Sequence, residues 1–268
     1  MKTSSKTLAL TESAVMVALA FVLSFLKVVD MPYGGSVTAF SMLPIVIIAY
    51  RHRLGWGLAS ALAYSLLQML MGLNNLSYAT SAAAAVAIIL LDYIVAFLVL
   101  GLAGVFRKNP AKQPSEIALG ALLGCILRYA CHVIAGCTVW AGVSIPTSDG
   151  LIYSLGYNAT YMIPETLLTV VGAYYAGQVL TLGEPRVTRR QAVSGSGSTA
   201  IASMPAALAV VIASAFVFGM MQNPDSGSFD ITLVAQAGLM DWLPVLLVLV
   251  LGAAVSAALA VVLPKKAK

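Results

Sequence analysis

Three charged residues lie in the middle of stretches that are otherwise apolar. Asp92, Arg128 and Glu165 each fall near the centre of a run that could cross a membrane, counting about 1.5 Å per residue from the ends of the run. A charge within a membrane span is costly unless it is paired or faces a cavity. We expect Arg128 to pair with Glu165, which leaves Asp92 for a ligand. In a purely structural interpretation, Arg128 pairs with one carboxylate, and the other is protonated or faces a cation in a wet cavity.

Aromatic and polar residues collect toward one end of the same runs. They are Tyr93, His132, Trp140, Tyr153, Tyr157, Asn158 and Tyr161. Carboxylate, amide, imidazole, indole and phenol groups at one depth suit a small, flat, partly cationic heteroaromatic ligand, which they would bind by stacking, cation–π contact and hydrogen bonds. Each residue alone also has a structural interpretation, as a packing histidine, an interfacial aromatic residue or an amide that joins helices.

The composition indicates an integral membrane protein. The 268 residues are 60% hydrophobic and 9% charged, and the mean hydropathy is +0.93, which leaves too little polar surface for a soluble globule. The net charge of +5 comes from basic residues at the ends of apolar runs, so we expect them to set topology and not to bind nucleic acid.

Catalysis and metal binding find little support in the sequence. It contains no GxxxxGK[ST] phosphate loop, and His52 and His132 fall on opposite predicted sides of the membrane. Cys125, Cys131 and Cys137 share one apolar run at a spacing of six and are expected to be buried hydrophobic residues. We therefore predict neither an enzyme nor a metal or cofactor site.

Eight apolar runs predict an all-α, polytopic membrane helix bundle. They span about residues 11–29, 37–50, 54–73, 80–105, 116–138, 151–181, 200–221 and 239–263. Lysine and arginine cluster in alternate connections, near residues 2–6, 51–53, 107–112, 186–190 and 265–268. Because cytoplasmic loops hold this excess, both termini are predicted to lie on the cytoplasmic side of the cell membrane.

A change in composition near residue 183 divides the chain. Residues 183–199 run from a basic patch into SGSGST, which is typical of a flexible linker. We predict a six-helix domain at 1–182, a cytoplasmic linker at 183–199, and two further membrane helices at 200–268 whose role the sequence does not indicate.

Four separated segments resemble one family of membrane proteins. They are MPYGGSVTAFSMLPI (31–45), LLDYIVAFLVLGLAGVFRK (90–108), LRYACHVIAGCTVW (127–140) and YSLGYNATYMIPE (153–165). In this order, across roughly residues 8–182, they resemble the thiamine-specific substrate-binding (S) subunits of energy-coupling-factor (ECF) vitamin transporters. The resemblance implies six helices around an outward-open thiamine pocket, capped by the loop between helices one and two.

The resemblance implies thiamine-binding roles for particular side chains. These are Asp92, Tyr93, His132, Trp140, Tyr153 and Asn158. The carboxylate would accept hydrogen bonds from the aminopyrimidine or offset the thiazolium charge, the indole and imidazole would stack on the rings, and the tyrosine and asparagine of the sixth run would fix orientation. We further expect the pocket to include Gly35, Tyr78, Tyr157, Arg128 and Glu165.

The sequence departs from the family pattern at two positions. Family members often carry the longer glutamate where Asp92 stands here, and a cap-loop tryptophan of some members aligns with Gly35. Without this tryptophan ring one wall of the pocket is missing, which is consistent with a looser pocket or with a related ligand.

The resemblance also implies partners. The energising module, a transmembrane coupling protein and two ATPases, would be separate chains, and Ala14 and Ala18, four residues apart on the first helix, would contact it. We therefore predict a subunit that captures thiamine by binding and conformational change. One alternative is the same type of subunit for hydroxymethylpyrimidine, pyridoxine or riboflavin. Another is an ion-coupled secondary transporter that uses the three membrane-buried charges as a relay.

Overall fold

A computed structural model of the chain describes residues 5–31, 34–141, 150–190, 196–223 and 230–263. Long helices dominate these ranges, together with one two-stranded hairpin. The helices are α1 (Ser5–Leu23), α2 (Leu43–Met71), α3 (Ala82–Ile88), α4 (Ala96–Leu98), α5 (Gln113–Thr138), α6 (Gly150–Val179), α7 (Ser196–Met220) and α8 (Leu239–Val262).

Helical segments long and apolar enough to cross a membrane make this a multi-pass membrane protein. Among the described residues there are six: Lys6–Leu23, Leu43–Met71, Ala82–Phe106, Pro110–Thr138, Ile201–Met220 and Leu239–Val262. The predicted all-α membrane bundle is thereby confirmed. The number falls from eight to six because two predicted helices join in α2, and because α6, although 30 residues long, is not among the six apolar segments.

The connection between the first two predicted helices contains a β-hairpin that the sequence analysis missed. Strand β1 (Lys27–Asp30) pairs antiparallel with strand β2 (Ser36–Thr38). The helix predicted at 11–29 therefore ends at Leu23, and the one predicted at 37–50 begins only at Leu43. Valine and threonine, whose branched side chains favour extended backbone, make up half or more of each strand.

The predicted break between helices two and three is a kink within α2. Arg53 has a φ of 66° and a ψ of −174°, a region that only glycine adopts readily and that costs an arginine on the order of 1–3 kcal/mol. The neighbouring Arg51 is held firmly: its Nη2 donates to Glu12 Oε1 at 2.8 Å and its Nη1 to the carbonyl oxygen of Glu184 at 2.7 Å. These bonds fix the chain at the kink and maintain the strained residue.

Residues Ala82–Phe106 form one helical rod whose winding changes along its length. Helix α3 continues as a π-helix over Ile89–Val95, then as α4, and ends as a 3-10 helix over Val99–Phe106. A π-helix is wider than an α-helix and is often found at functional sites. In this rod it carries the adjacent residues Asp92 and Tyr93, both of which reach the same cavity.

The segment predicted as a flexible linker is partly ordered. A bridge between Leu180 and Arg189 folds the chain back at the end of α6, residues 191–195 lie outside the described ranges, and α7 already begins at Ser196. Helix α7 contacts α6, and α8 contacts α7, so both additional helices adjoin the rest of the bundle. The domain boundary placed at residue 182 stays a prediction.

Candidate ligand-binding site

A cavity of 430 Å³ lies between the hairpin, α2, the Ala82–Phe106 rod, α5 and α6. Ten of the eleven residues predicted for the pocket line it: Gly35, Asp92, Tyr93, Arg128, His132, Trp140, Tyr153, Tyr157, Asn158 and Glu165. The eleventh, Tyr78, is not in the lining, but its ring centroid lies 6.0 Å from that of Trp140. The structure therefore gathers side chains from separate elements around one space, and their roles in binding stay a prediction.

The carboxylate of Asp92 orients two aromatic rings. Its Oδ1 lies 2.9 Å from Nδ1 of His132, and its Oδ2 accepts a hydrogen bond of 2.8 Å from Nε1 of Trp140. Both ring residues are buried. Because each ring is anchored through a polar edge, its apolar face is held in a fixed direction at the cavity wall.

The hydrogen bond that His132 accepts from Arg128 sets the tautomer of the imidazole. Nε of Arg128 lies 3.2 Å from Nε2 of His132, and a guanidinium group can only donate. Nε2 must therefore accept, so the proton of the neutral imidazole is on Nδ1 and is donated to Asp92. The guanidinium carbon of Arg128 also lies 4.2 Å from the ring centroid of Phe97, which stabilises its charge by a cation–π contact.

The expected ion pair between Arg128 and Glu165 is wrong. Within the described residues, Arg128 forms an ion pair with neither Glu165 nor Asp92. Oε1 of Glu165 instead accepts hydrogen bonds from the backbone N–H and the hydroxyl of Thr38, both at 2.7 Å. Its Oε2 is buried and has no hydrogen-bond partner among the described residues. Among these two carboxylates of the cavity lining, the one with an unpartnered oxygen is therefore Glu165, whereas both oxygens of Asp92 are engaged.

The hairpin is fastened over the cavity by its turn. Gly34 and Gly35 have φ values of +95° and +88°, and the carbonyl oxygen of Gly34 accepts a hydrogen bond of 3.0 Å from the hydroxyl of Tyr157. A Cβ on Gly35 would lie 2.7 Å from the ring of Tyr161. A tryptophan at this position, as in some relatives of the resembled family, would meet both the strained backbone and this ring.

Asn158 and Tyr93 use their polar groups largely within the protein. Nδ2 of Asn158 donates to the carbonyl oxygen of Ser154 at 2.9 Å, and its Oδ1 accepts from the hydroxyl of Tyr161 at 2.6 Å. The hydroxyl of Tyr93 accepts from Nδ2 of Asn75 at 2.8 Å. Nδ2 of Asn158 also donates to the carbonyl oxygen of His132 in α5 at 3.3 Å, which favours the structural interpretation, in which the amide holds helices together.

Several lining residues were not found by sequence reasoning. They include Thr38, Tyr64, Gln68 and Asn75. The spacing of Tyr64 and Gln68, one helical turn apart in an apolar run, was a usable signal for a polar stripe. Thr38 gave no such signal, because its contact with Glu165 joins residues 127 positions apart in the chain.

The charges of the lining favour a cation. Lys27 and Asp30 pair with each other at 3.0 Å and cancel. With both carboxyl groups ionised and His132 neutral, Asp92 and Glu165 contribute two negative charges and Arg128 one positive charge, a net charge of minus one. Within the described residues, no group of three or more His, Cys, Asp or Glu side chains is placed to hold a metal ion.

Comparisons with known proteins place the chain among transporters. A sequence model of the thiamine transporter protein (Thia_YuaJ) family matches residues 10–179. Thiamine transporter ThiT of Bacillus subtilis (strain 168) is 34% identical over 182 residues, which are 64% of this chain and 91% of that protein. Thiamine transporter ThiT of Lacticaseibacillus paracasei is 24% identical over 174 residues, 60% of this chain and 82% of that protein.

A solved structure of ThiT from Listeria monocytogenes shares the fold. It matches with a TM-score of 0.53 at 23% identity and covers 65% of this chain and 95% of that one. The family match ends before α7 begins.

Proposed function

Because the chain belongs to the thiamine transporter protein family, we propose that it is the membrane-embedded thiamine-binding subunit of an ECF-type vitamin importer. It captures thiamine from outside the cell and delivers it by conformational change. The observation that best supports this proposal is the 430 Å³ cavity, whose lining combines oriented aromatic rings with a net charge of minus one. As a transporter subunit, it performs no covalent chemistry itself.

The chemistry of thiamine matches the lining. Thiamine joins a neutral aminopyrimidine ring to a positively charged thiazolium ring. Trp140 and His132, fixed by Asp92, offer faces on which such flat rings stack. A carboxylate has about four lone-pair sites, so Asp92 keeps capacity to accept from the exocyclic amine. Glu165, whose buried Oε2 has no hydrogen-bond partner among the described residues, supplies the negative charge that offsets the thiazolium.

Glu165 also connects the ligand to the cap. The same carboxylate that would face the cation holds Thr38 at the end of β2, and Tyr157 holds the turn at Gly34. Binding of a cation beside Glu165 therefore strengthens the contact between the hairpin and α6. Release requires these contacts to loosen, which a movement of the whole subunit within a larger complex would provide.

The partners follow from the proposed type of transporter. The energising module of a coupling protein and two ATPases would be formed by separate chains. Ala14 and Ala18, the residues proposed to contact it, are exposed on α1 and would permit close helix approach. We also propose that both termini are cytoplasmic, although the terminal lysines at positions 2, 265, 266 and 268 lie outside the described residues.

The direct test is thiamine binding to the purified chain, followed by intrinsic tryptophan fluorescence. We expect saturable quenching that is largely lost in Trp140→Phe, because this indole lines the cavity. Trp56→Phe and Trp242→Phe are matched controls, since neither residue is in the lining, and both should retain the quenching.

The absence of both fluorescence quenching and heat of binding with thiamine would contradict the proposal. Competition by hydroxymethylpyrimidine, pyridoxine and riboflavin then identifies another ligand for the same cavity. Thiamine uptake into liposomes by the purified chain, driven by an ion gradient without ATP, would instead establish a secondary transporter.

A further inference from the structure

A second cavity, of 300 Å³, lies at the other end of the bundle from the thiamine cavity. Three helical segments each run from one cavity to the other: the part of α2 that follows the kink at Arg53, the Ala82–Phe106 rod, and α5. Four basic residues line the second cavity: Arg53, Arg107, Lys108 and Arg190. Among the described residues that line it, Glu184 is the only acidic one, so these side chains carry a net charge of four minus one, or plus three.

These positive charges lack ionic partners within the described part of the chain. The guanidinium group of Arg53 and the ammonium group of Lys108 form no hydrogen bond or ion pair with a described residue. The guanidinium groups of Arg107 and Arg190 donate only to backbone carbonyl oxygens of described residues. Such bonds hold the guanidinium groups in place without neutralising them.

Carboxylates next to the cavity are already engaged. Glu116 accepts hydrogen bonds from the hydroxyl of Tyr50 and from the backbone N–H groups of Lys108 and Asn109. Glu12 is paired with Arg51. Burial, followed by the positive charge of Arg53, holds the pKa of Arg107 below its ordinary value. The cavity is therefore a place where cations repel one another and an anion would relieve the repulsion.

The strain at Arg53 points in the same direction. Its φ of 66° places an arginine where the backbone favours glycine, and the residue lies at the kink of α2 beside the cavity. Backbone strain of this kind is concentrated at binding and switch sites. Glycine at this position would ease the strain, yet the sequence keeps a guanidinium group there.

The position of the cavity identifies the source of the anion. Helices end around it: the apolar rod at Phe106 and α6 at Val179, while the apolar segment that contains α5 begins at Pro110. The ends of apolar helices lie at the depth of lipid headgroups. Basic pockets between helices at this depth suit acidic headgroups, and guanidinium forks match phosphate oxygens. We propose that this cavity binds the phosphate group of an anionic membrane phospholipid.

Paired charge-removal variants of the full chain test the proposal. Arg53→Gln/Lys108→Gln removes two charges from the cavity, and Arg186→Gln/Arg189→Gln removes two exposed charges of the neighbouring segment that do not line it. Native mass spectrometry of the purified protein counts the phosphatidylglycerol molecules that it retains and compares them with the retained phosphatidylcholine molecules. We expect preferential retention of phosphatidylglycerol, at least tenfold weaker in the first variant and unchanged in the second.

Other outcomes would overturn the lipid assignment. Equal loss in both variants would indicate nonspecific attraction to positive charge, and equal retention of the two lipids would remove the site. Inorganic phosphate is the second arm of the test. If millimolar phosphate displaces phosphatidylglycerol completely and protects the protein equally well against thermal unfolding, the occupant is a soluble phosphate compound.

Arg53→Gly separates binding from a structural role. This variant relieves the strained φ, so its melting temperature without added lipid should equal or exceed that of the unchanged chain. Its retention of phosphatidylglycerol should nevertheless fall, and unchanged retention would contradict a role for Arg53. Thiamine binding should be unaffected in all of these variants, so failure of the lipid site is distinguishable from failure of the proposed function.

Discussion

Replacement of Asp92 by asparagine tests the central arrangement of the thiamine cavity. The substitution keeps the shape of the side chain but removes its charge and turns one acceptor oxygen into a donating NH₂ group. Trp140 Nε1 can only donate, so the remaining oxygen of the asparagine must face it. The NH₂ group then faces Nδ1 of His132, which carries a proton because Arg128 donates to Nε2. The NH₂ group of the asparagine and the Nδ1–H of His132 then face each other as two donors. A change of tautomer does not relieve this conflict, because a proton on Nε2 would face the donor of Arg128.

The expected loss of affinity follows from these contacts. A hydrogen bond to a charged group contributes about 1.5–3 kcal/mol, which the ligand loses at position 92. The misoriented indole or imidazole must also be reordered when thiamine binds, at about 0.5–1.5 kcal/mol for one side chain. A total of about 2–4.5 kcal/mol corresponds to thiamine binding that is about 30- to 1,600-fold weaker. Titration calorimetry of the purified chain measures this directly.

Glu116→Gln is the matched control for Asp92→Asn. Glu116 is buried, is likewise surrounded by donors, and lies at the other end of the bundle. It should lower thermal stability but leave thiamine affinity within about twofold, because distant sites act independently. The reasoning is refuted if Asp92→Asn binds as tightly as the unchanged chain, or if Glu116→Gln loses as much affinity. Asp92→Glu, which restores the carboxylate found in many members of the resembled family, should bind thiamine.

Three further substitutions examine the charge and the cap of the same cavity. Glu165→Gln should weaken thiamine binding by up to about 700-fold in calorimetry, since one charge contact near 4 Å is worth up to about 4 kcal/mol, but it should barely affect binding of the neutral hydroxymethylpyrimidine. Equal effects on both ligands would exclude a contact with the thiazolium. Gly35→Ala should weaken thiamine binding by about tenfold in calorimetry, because alanine adds a backbone strain of about 1–2 kcal/mol and collides with Tyr161. An unchanged affinity would show that the turn does not cap the cavity. Tyr157→Phe should speed thiamine release in stopped-flow fluorescence, because the hydrogen bond from the tyrosine to the hairpin is lost. The control Tyr129→Phe should not, because the hydroxyl of Tyr129 bonds to Leu155 outside the cavity. Equal release rates in the two variants would show that the bond between Tyr157 and the hairpin does not retain the ligand.

The structure changes the interpretation of the three buried charges. Their isolation in apolar runs indicated that Asp92, Arg128 and Glu165 are paired or face a cavity, because an unpaired charge cannot face lipid, and all three line one cavity. Which groups each one bonds to could not be deduced, since this depends on how helices are rotated about their own axes. Arg128 lies against Phe97 and His132, and Glu165 against Thr38, so the expected pair does not form.

The hairpin and the basic cavity show a second kind of limit. The turn at Gly34 and Gly35 was visible as a glycine pair, but the short strands were hidden between two long apolar runs that dominate any helical pattern. The basic loops were recognised as topology signals. That Arg53 and Arg190 line one cavity follows only from the folded chain, because they are far apart in sequence.

The sequence by itself determined that this protein lies in a membrane, where most of its helices run, and which side chains could not face lipid. Those features depend on local composition and on the cost of placing charge in hydrocarbon, so each can be deduced from one run at a time. Only the tertiary structure decided the partner of each charge, the tautomer of His132 and the closure of the hairpin over the cavity. These depend on contacts between residues such as Thr38 and Glu165, whose meeting is fixed by the packing of several helices together.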